Sequence, residues 1–282
     1  MENCPLVTVI IPAYNHELYI EEAMQSVVNQ TYKNIELIII NDGSTDGTEQ
    51  VITEFINNNP NYNIQFVSKS NEGICRTLNR GLELADGSYV ALLASDDYWA
   101  PERIEKQVSF MERNVNIGLV FSDHYFVRYN EVTDIKATDY KPQTRKSFKN
   151  CIQNENIYEK LLIENIIPAL TVLIRKECLD KLGGFDNNLS AEDYDMWLRI
   201  AKEYPIAFID EPLAYYRVHD KNLSNNTLSI KTLITVRAIM KKQYDSEPLK
   251  HQKIKRISLF FRFWYTVLRN RFIRVVFIEK KI

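Results

Sequence analysis

An α/β fold built on a mostly parallel sheet is predicted by three observations. Through the first hundred residues, β-branched apolar runs of strand length alternate with stretches of helical period. Each apolar run empties into a polar loop bearing glycine, proline or aspartate. The chain has 282 residues, 45% hydrophobic and 26% charged, so it can bury a full core and has an ordinary globular balance. An order β-α-β-α-β-α-β requires parallel strands, right-handed crossovers and helices on both sheet faces.

Leu6-Val7-Thr8-Val9-Ile10-Ile11 reads as a central strand buried on both sides, ended by Pro12. A helix follows over 18–29, with Ile20, Ala23, Met24 and Val27 on one face. Residues 35–40 form the second strand. It runs into the turn cluster Asn41-Asp42-Gly43-Ser44-Thr45-Asp46-Gly47, and a helix spans 48–57. A third strand over 63–67 precedes a helix carrying Ile74, Leu78, Leu82 and Ala85. Tyr89-Val90-Ala91-Leu92-Leu93-Ala94 is the fourth strand, and it ends abruptly in Ser95-Asp96-Asp97.

Beyond it, Pro101 opens a helix to about residue 114, and 118–122 is a further strand. The pattern dissolves over 130–150, which reads as a loop or excursion suited to specificity elements or to disorder. A strand is expected over 169–175 and a short helix over 176–182, stopped by Gly183-Gly184. Glu192-Asp193-Tyr194-Asp195 heads another helix, in which Met196 and Trp197 read as core. Residues 206–209 and 213–218 look like the last two strands.

In an open α/β sheet, ligands bind beyond the carboxyl ends of the strands. Tyr14, Asp42, Arg76, Asp96 and Asp97 are therefore expected on one edge. Adjacent carboxylates repel unless a cation lies beside them, and Mg²⁺ or Mn²⁺ carrying a diphosphate would serve. Taken alone, an Asp-Asp loop is more plainly a solvated turn. Glu192, Asp193 and Asp195 taken alone read as an acidic first turn favoured by the helix dipole.

The net charge is −2, yet residues 250–282 hold ten Lys/Arg against one acid, Glu279. An acidic body with a basic tail argues against nucleic-acid binding by the body. Cys4, Cys75, Cys151 and Cys178 have no C-x-x-C spacing, so a reduced cytosolic setting fits better than a disulfide or metal framework. No basic-then-apolar leader precedes the first strand, and no apolar run is long enough to span a bilayer.

Six stretches occur together, in order: Val9-Ile10-Ile11-Pro12-Ala13-Tyr14-Asn15, Asn41-Asp42-Gly43-Ser44-Thr45-Asp46, Ser95-Asp96-Asp97, Gly184-Phe185-Asp186, Glu192-Asp193 and Tyr216-Arg217-x-His219. Over residues 5–225 the chain thus resembles the family 2 glycosyltransferases. The resemblance implies an inverting, nucleotide-sugar-dependent enzyme of the GT-A fold, a Rossmann-like mostly parallel sheet flanked by helices. It implies a catalytic domain over 1–225, with a nucleotide-binding half (1–100) and an acceptor half (101–225). A helical C-terminal extension would occupy 226–282. It further implies a UDP-sugar donor, a Mn²⁺ or Mg²⁺ cofactor, and a glycan or polyprenyl-linked acceptor in surface polysaccharide synthesis.

By position, Pro12, Ala13, Tyr14 and Asn15 would line the base pocket and Asp42 would accept a hydrogen bond from the base. Asp96 would face ribose or metal, Asp97 would ligate the metal, and His219 would be a further ligand. Asp193, with Glu192 beside it, would be the general base, its pKa raised by repulsion within the acidic turn. The family's Ala-Arg-Asn after Asn-x-Gly is replaced here by Thr77-Leu78-Asn79, so Arg76 is the arginine nearest that place.

Inversion in one step needs a base opposite the leaving group and an electrophile on the diphosphate. A sugar-phosphate nucleotidyltransferase would want a Gly-rich, Lys- or Arg-bearing loop after the first strand, and Ala13-Tyr14-Asn15-His16 offers none. A dinucleotide oxidoreductase would want G-x-G-x-x-G there. A catalytically silent nucleotide-sugar-binding scaffold remains the alternative of another class. Residues 255–271 interleave aromatic and cationic side chains at helical period, as in a helix lying peripherally on the inner face of a membrane.

Overall fold

The structure is a computed structural model that describes residues 4–128, 131–140, 157–162, 164–189, 192–220, 222 and 230–245. Its first half follows the predicted alternation: β1 (Val7–Ala13), α1 (Ile20–Val28), β2 (Ile35–Asp42), α2 (Thr48–Asn58), β3 (Ile64–Lys69), α3 (Ile74–Leu84) and β4 (Tyr89–Leu92). β1 pairs in parallel with β2 and β4, and β2 with β3. Alternate residues then feed two cores. Ile10, Ile38, Ile40, Val90 and Leu92 pack on one face, and Val9, Ile11, Leu37, Ile39 and Ala91 on the other. Burial on both faces is why these strands are apolar throughout.

Pro12 does not end β1; it lies inside it. The Val7 amide bonds toward β2 and the Ile10 carbonyl toward β4, so even-numbered residues of β1 face β4. Pro12 therefore faces the β4 side beyond Leu92, the last residue of β4, where a missing N–H costs no ladder bond.

The second half makes the sheet mixed. It contains β5 (Tyr98–Trp99), α4 (Arg103–Arg113), β6 (Leu119–Arg128), β7 (Glu131–Lys136) and α5 (Ala137–Tyr140). Then come α6 (Ile157–Leu161), β8 (Leu173–Arg175), α7 (Lys176–Leu182), α8 (Glu192–Glu203), β9 (Ile206–Val218) and α9 (Ile230–Asp245). The strand order is β3-β2-β1-β4-β8-β6-β9-β5, with β7 on β6. β8 runs antiparallel to both β4 and β6, whereas β6 and β9 are parallel.

Three expectations need correction. Residues 169–171 are a 3₁₀ turn, not strand. The carbonyls of Leu170, Thr171 and Val172 accept from Trp99 Nε1 (2.9 Å), Gln107 Nε2 (2.8 Å) and Arg103 (2.7 Å). Side chains thus do there what a ladder would do. The excursion begins with a strand and a helical turn, β7 and α5; residues 141–156 lie outside the described set. The two last strands are one, β9, whose register with β6 shifts around Asp123 and Pro212. A bulge accommodates a proline that cannot donate.

Trp197 and Met196 are fully buried, and Trp99 lies in the core under the Arg103 guanidinium, 3.7 Å from its ring centroid. Gly183 ends α7 in the left-handed conformation at φ +75°, as the sequence predicts.

Candidate active site

Four chain segments meet beyond the carboxyl end of the sheet. β1 delivers 12–16, β2 delivers Asp42, β4 delivers 95–97, and β9 returns across them with Arg217 and His219. Asp96 is the hub. One of its carboxylate oxygens lies 3.1 Å from His219 Nε2, 3.3 Å from Asn222 Nδ2 and 3.9 Å from His16 Nε2. Ligand atoms of His16, Asp96 and His219 all lie within 4.8 Å of one another. His16 Nδ1 is hydrogen-bonded to Ser95 Oγ at 2.7 Å, which turns its other nitrogen toward Asp96. The Asn222 side chain accepts from the His219 amide (2.6 Å) and donates to the Arg217 carbonyl (3.0 Å), fixing the loop that bears His219. Tyr19 stacks on the His219 ring at 4.9 Å.

Asp97 points elsewhere. It is buried and accepts the Arg217 backbone N–H at 2.8 Å. Burial first, then the charge of Asp96, pushes its carboxyl well above the usual carboxylate range; the Arg217 N–H and charge oppose this. The Arg217 side chain is buried as well. Its Nε donates to the Asp96 carbonyl at 3.0 Å, its terminal nitrogen pairs with Glu22, and its guanidinium sits 5.0 Å from the Tyr19 ring.

The nucleotide-side candidates divide. Asp42 is buried; its carboxylate pairs with Lys69 and accepts the amides of Glu72 (2.9 Å) and Gly73 (3.0 Å). Burial pushes it up, but Lys69 and the two N–H groups outweigh that and hold it below the ordinary value. Four lone-pair directions leave one for a ligand. Gly43 stands at φ +71°, and a Cβ there would lie 2.6 Å from the Asn71 amide, so this turn admits only glycine. Asn15, at φ +54°, accepts the Thr45 amide on its side-chain oxygen at 2.8 Å and donates its own N–H to Ser44 Oγ at 3.0 Å, bracing that turn. Ala13 is buried, and Tyr14 is 48% exposed. The Arg76 side chain is 57% exposed, with its guanidinium 3.9 Å from Glu72.

A cleft of about 550 Å³ opens beside Asp97 and reaches Asp193; Pro12, Ser122, His124, Asn165 and Tyr216 also line it. Asp193 sits on the first turn of α8 and accepts from Asn165 Nδ2 at 3.0 Å and from the Tyr194 amide at 2.6 Å. Burial raises its pKa; those two donors pull it back. Repulsion within the acidic turn is not the cause. The Asp195 carboxylate is fully buried and taken by Arg199 (2.7 Å) and Lys242 (3.2 Å). The Glu192 side chain lies outside the described residues.

Comparisons with known proteins place the chain by family and by fold. The family model for "Glycosyl transferase family 2" matches residues 8–178. The chain belongs to that family. A glycosyltransferase of Haemophilus influenzae, itself uncharacterized, is 36% identical over 228 residues, covering 80% of this chain and 69% of that protein. The putative teichuronic acid biosynthesis glycosyltransferase TuaG of Bacillus subtilis is 31% identical over 224 residues, covering 79% and 82%. Among solved structures, S. aureus TarS 1-349 in complex with UDP-GlcNAc superposes with a TM-score of 0.68 at 20% identity, covering 88% of this chain and 69% of that one. The mannosyltransferase PcManGT of Pyrobaculum calidifontis, in complex with GDP-Man and Mn²⁺, gives 0.68 at 20%, covering 93% and 73%. The fold is accordingly GT-A.

Three residues of this glycosyltransferase's edge escape sequence reasoning. His16 has no motif of its own; only the fold carries it to Asp96. Arg217 stands inside the Tyr216-Arg217-x-His219 motif, but its bonds to Asp96 and Asp97 span more than a hundred residues. Asn222 falls in a loop that reads simply as polar. Residues 255–271, the stretch expected to contact a membrane, lie outside the described set, and no helix among the described residues is long and apolar enough to cross one.

Proposed function

We propose that this glycosyltransferase is inverting and metal-dependent, and that it moves a sugar from a nucleoside-diphosphate donor, UDP-linked in the first instance, to a hydroxyl of a glycan or polyprenyl-linked glycan. The observation that carries the reading is the pairing of two unlike sites on one cleft. A His/Asp/His cluster centred on Asp96 adjoins Asp97, which lines the cleft, and the half-buried Asp193 carboxylate, held by Asn165, lines it too.

Two imidazoles and one carboxylate are a donor set suited to Mn²⁺ more than to Mg²⁺, which prefers oxygen alone. Asp96, His219 and His16 would hold the cation, with Asp97 bracing Arg217 beneath them. A divalent cation held there supplies an electrophile that offsets the charge of the departing diphosphate. Pro12, Ala13, Tyr14, Asn15 and Asp42 would frame the base, with Arg76 at the rim. Asp193, with Glu192 beside it in the chain, takes the proton of the acceptor hydroxyl as the anomeric carbon gains oxocarbenium character, so the new bond forms opposite the leaving group. The donors bound in TarS and PcManGT and the Mn²⁺ in the latter support the substrate and metal classes. The teichuronic acid biosynthesis for which TuaG is named supports a glycan polymer as acceptor, which would suit a chain working at the inner face of the membrane.

The test is nucleotide release across a panel of UDP- and GDP-sugars, with Mn²⁺ or with EDTA. Asp96→Ala and His219→Ala should lose metal-dependent donor binding. Asp193→Asn should bind donor and fail to transfer. A fully active Asp193→Asn removes the assigned base, and turnover untouched by EDTA removes the metal.

A further inference from the structure

Part of the cleft wall is built from β6 and β9. His124 is 6% exposed, and its Nδ1 is enclosed with no hydrogen-bond partner among the described residues. Its ring meets Phe126 edge-on at 5.1 Å and lies 5.8 Å from Tyr216; Phe126 and Tyr216 are themselves perpendicular at 5.9 Å. All three side chains line the same cleft as Asp97 and Asp193. The wall is held firmly. The Asp123 carboxylate accepts Thr138 Oγ1 at 2.6 Å and the His124 amide at 2.9 Å, which ties α5 to the bulged part of β6.

We propose that His124, with Phe126 and Tyr216, is the subsite that receives a neutral sugar ring. The inference rests on the transferase reading above. A buried polar nitrogen without a partner costs free energy unless a ligand satisfies it. Burial pushes the His124 imidazole down to about 4, so at neutral pH it is uncharged and offers one donor and one acceptor. Such a ring matches a hydroxyl in both roles and brings no positive charge to a phosphate. The rest of the lining agrees: no Lys or Arg among the described residues faces this cleft, whereas Ser122, Thr138 and Asn165 do. The aromatic rings of Phe126 and Tyr216, whose π faces are negative, suit the C–H face of a pyranose. The ring could belong to the donor or to the acceptor; both present the same hydroxyls and C–H groups.

Calorimetry with UDP, GDP, UDP-GlcNAc, UDP-glucose, UDP-galactose and GDP-mannose, in the presence of Mn²⁺, separates the sources. His124→Phe fills the space and removes both nitrogens. If the ring is the donor's, this variant weakens the nucleotide sugar by about tenfold or more while UDP or GDP binds as before. If the ring is the acceptor's, donor binding and donor hydrolysis stay unchanged and transfer to a panel of simple glycosides falls by a similar factor. In either case His124→Gln restores part of the loss, and Tyr216→Leu, read independently, reproduces it. The proposal is overturned if His124→Phe binds and transfers like the parent, or if nucleoside diphosphate and nucleotide sugar weaken equally. A parent protein that binds nucleoside diphosphates but none of the sugars overturns the proposal through the transferase reading itself.

Discussion

Arg217 is where the strand edge is most sharply testable, because its two kinds of bond can be separated. Arg217→Lys keeps the charge beside Glu22 and removes the planar fork. The backbone N–H to Asp97 is untouched. What disappears is the Nε bond to the Asp96 carbonyl, a 3.0 Å contact in a buried place. An acceptor stranded there costs about 1–3 kcal/mol. The competing contribution is the ion pair with Glu22. That carboxylate side chain is 55% exposed, so water screens the pair and its share is under about 1 kcal/mol. The carbonyl bond should therefore dominate. Taking the middle of that range, about 2 kcal/mol, and about 2–4 °C per kcal/mol for a chain near this size, Arg217→Lys lowers Tm by about 4–8 °C, and Glu22→Gln by no more than about 4 °C. Thermal unfolding in EDTA, followed by far-UV circular dichroism, reads both. A Glu22→Gln loss equal to or larger than that of Arg217→Lys would show that the ion pair, and not the carbonyl bond, secures this edge.

Raised by burial, Asp193 should give kcat an acid limb above the ordinary carboxylate range, with activity falling as pH drops through it; Asn165→Ala, which removes a donor to the charged form, should move that limb to higher pH in a pH–rate profile. The depressed Asp42 carboxyl has the opposite sign for stability: its contribution is present above the unfolded pKa and is lost as pH falls through the folded one. Lys69→Met should thus weaken the protein by about 3 kcal/mol at pH 7 and flatten that acid limb in urea titrations; an unchanged limb refutes the pairing. Gly43→Ala should destabilise by more than about 1 kcal/mol and lower UDP affinity, since its Cβ would sit 2.6 Å from the Asn71 amide; equilibrium unfolding and calorimetry check both.

The first half of the fold was legible because a strand buried on both faces has little choice of residues. Val9 and Ile10 serve different cores, so the run from Val7 to Ile11 has to be apolar apart from Thr8, whose hydroxyl bonds to the buried Glu36 carboxylate. The second half hid itself where side chains replace the ladder. Nothing in Leu170-Thr171-Val172 announces that Trp99, Gln107 and Arg103 will serve its carbonyls. Pro212 splits an apolar pattern that the chain keeps as one strand by shifting register. The cleft was legible at its ends, Asp97 and Asp193, because carboxylates after strands and at helix heads follow simple rules. His124 was not. Its place in Phe121-Ser122-Asp123-His124 looks like the tail of a strand, and only the neighbouring β9 makes it a wall.

The adjacent aspartates show why two such residues are needed and why they are not equivalent. Their side chains take different surroundings on consecutive residues. Asp97 turns inward and accepts the Arg217 N–H, so its carboxylate holds the end of β9 against the loop after β4. That places the same residue's guanidinium on the Asp96 carbonyl and sets His219, two residues on, against the Asp96 carboxylate. One carboxylate thus positions the partners of the other. A cation held near Asp96 would lower the repulsion that pushes Asp97 up, so metal binding and the hold on β9 would reinforce each other through a single pair of residues. On this argument Asp97→Asn, which keeps an acceptor for Arg217 N–H, should be milder than Asp96→Asn in Mn²⁺-dependent donor binding, whereas Asp97→Ala should be as severe. Equal losses from Asp97→Asn and Asp96→Asn would mean that both carboxylates meet the cation directly.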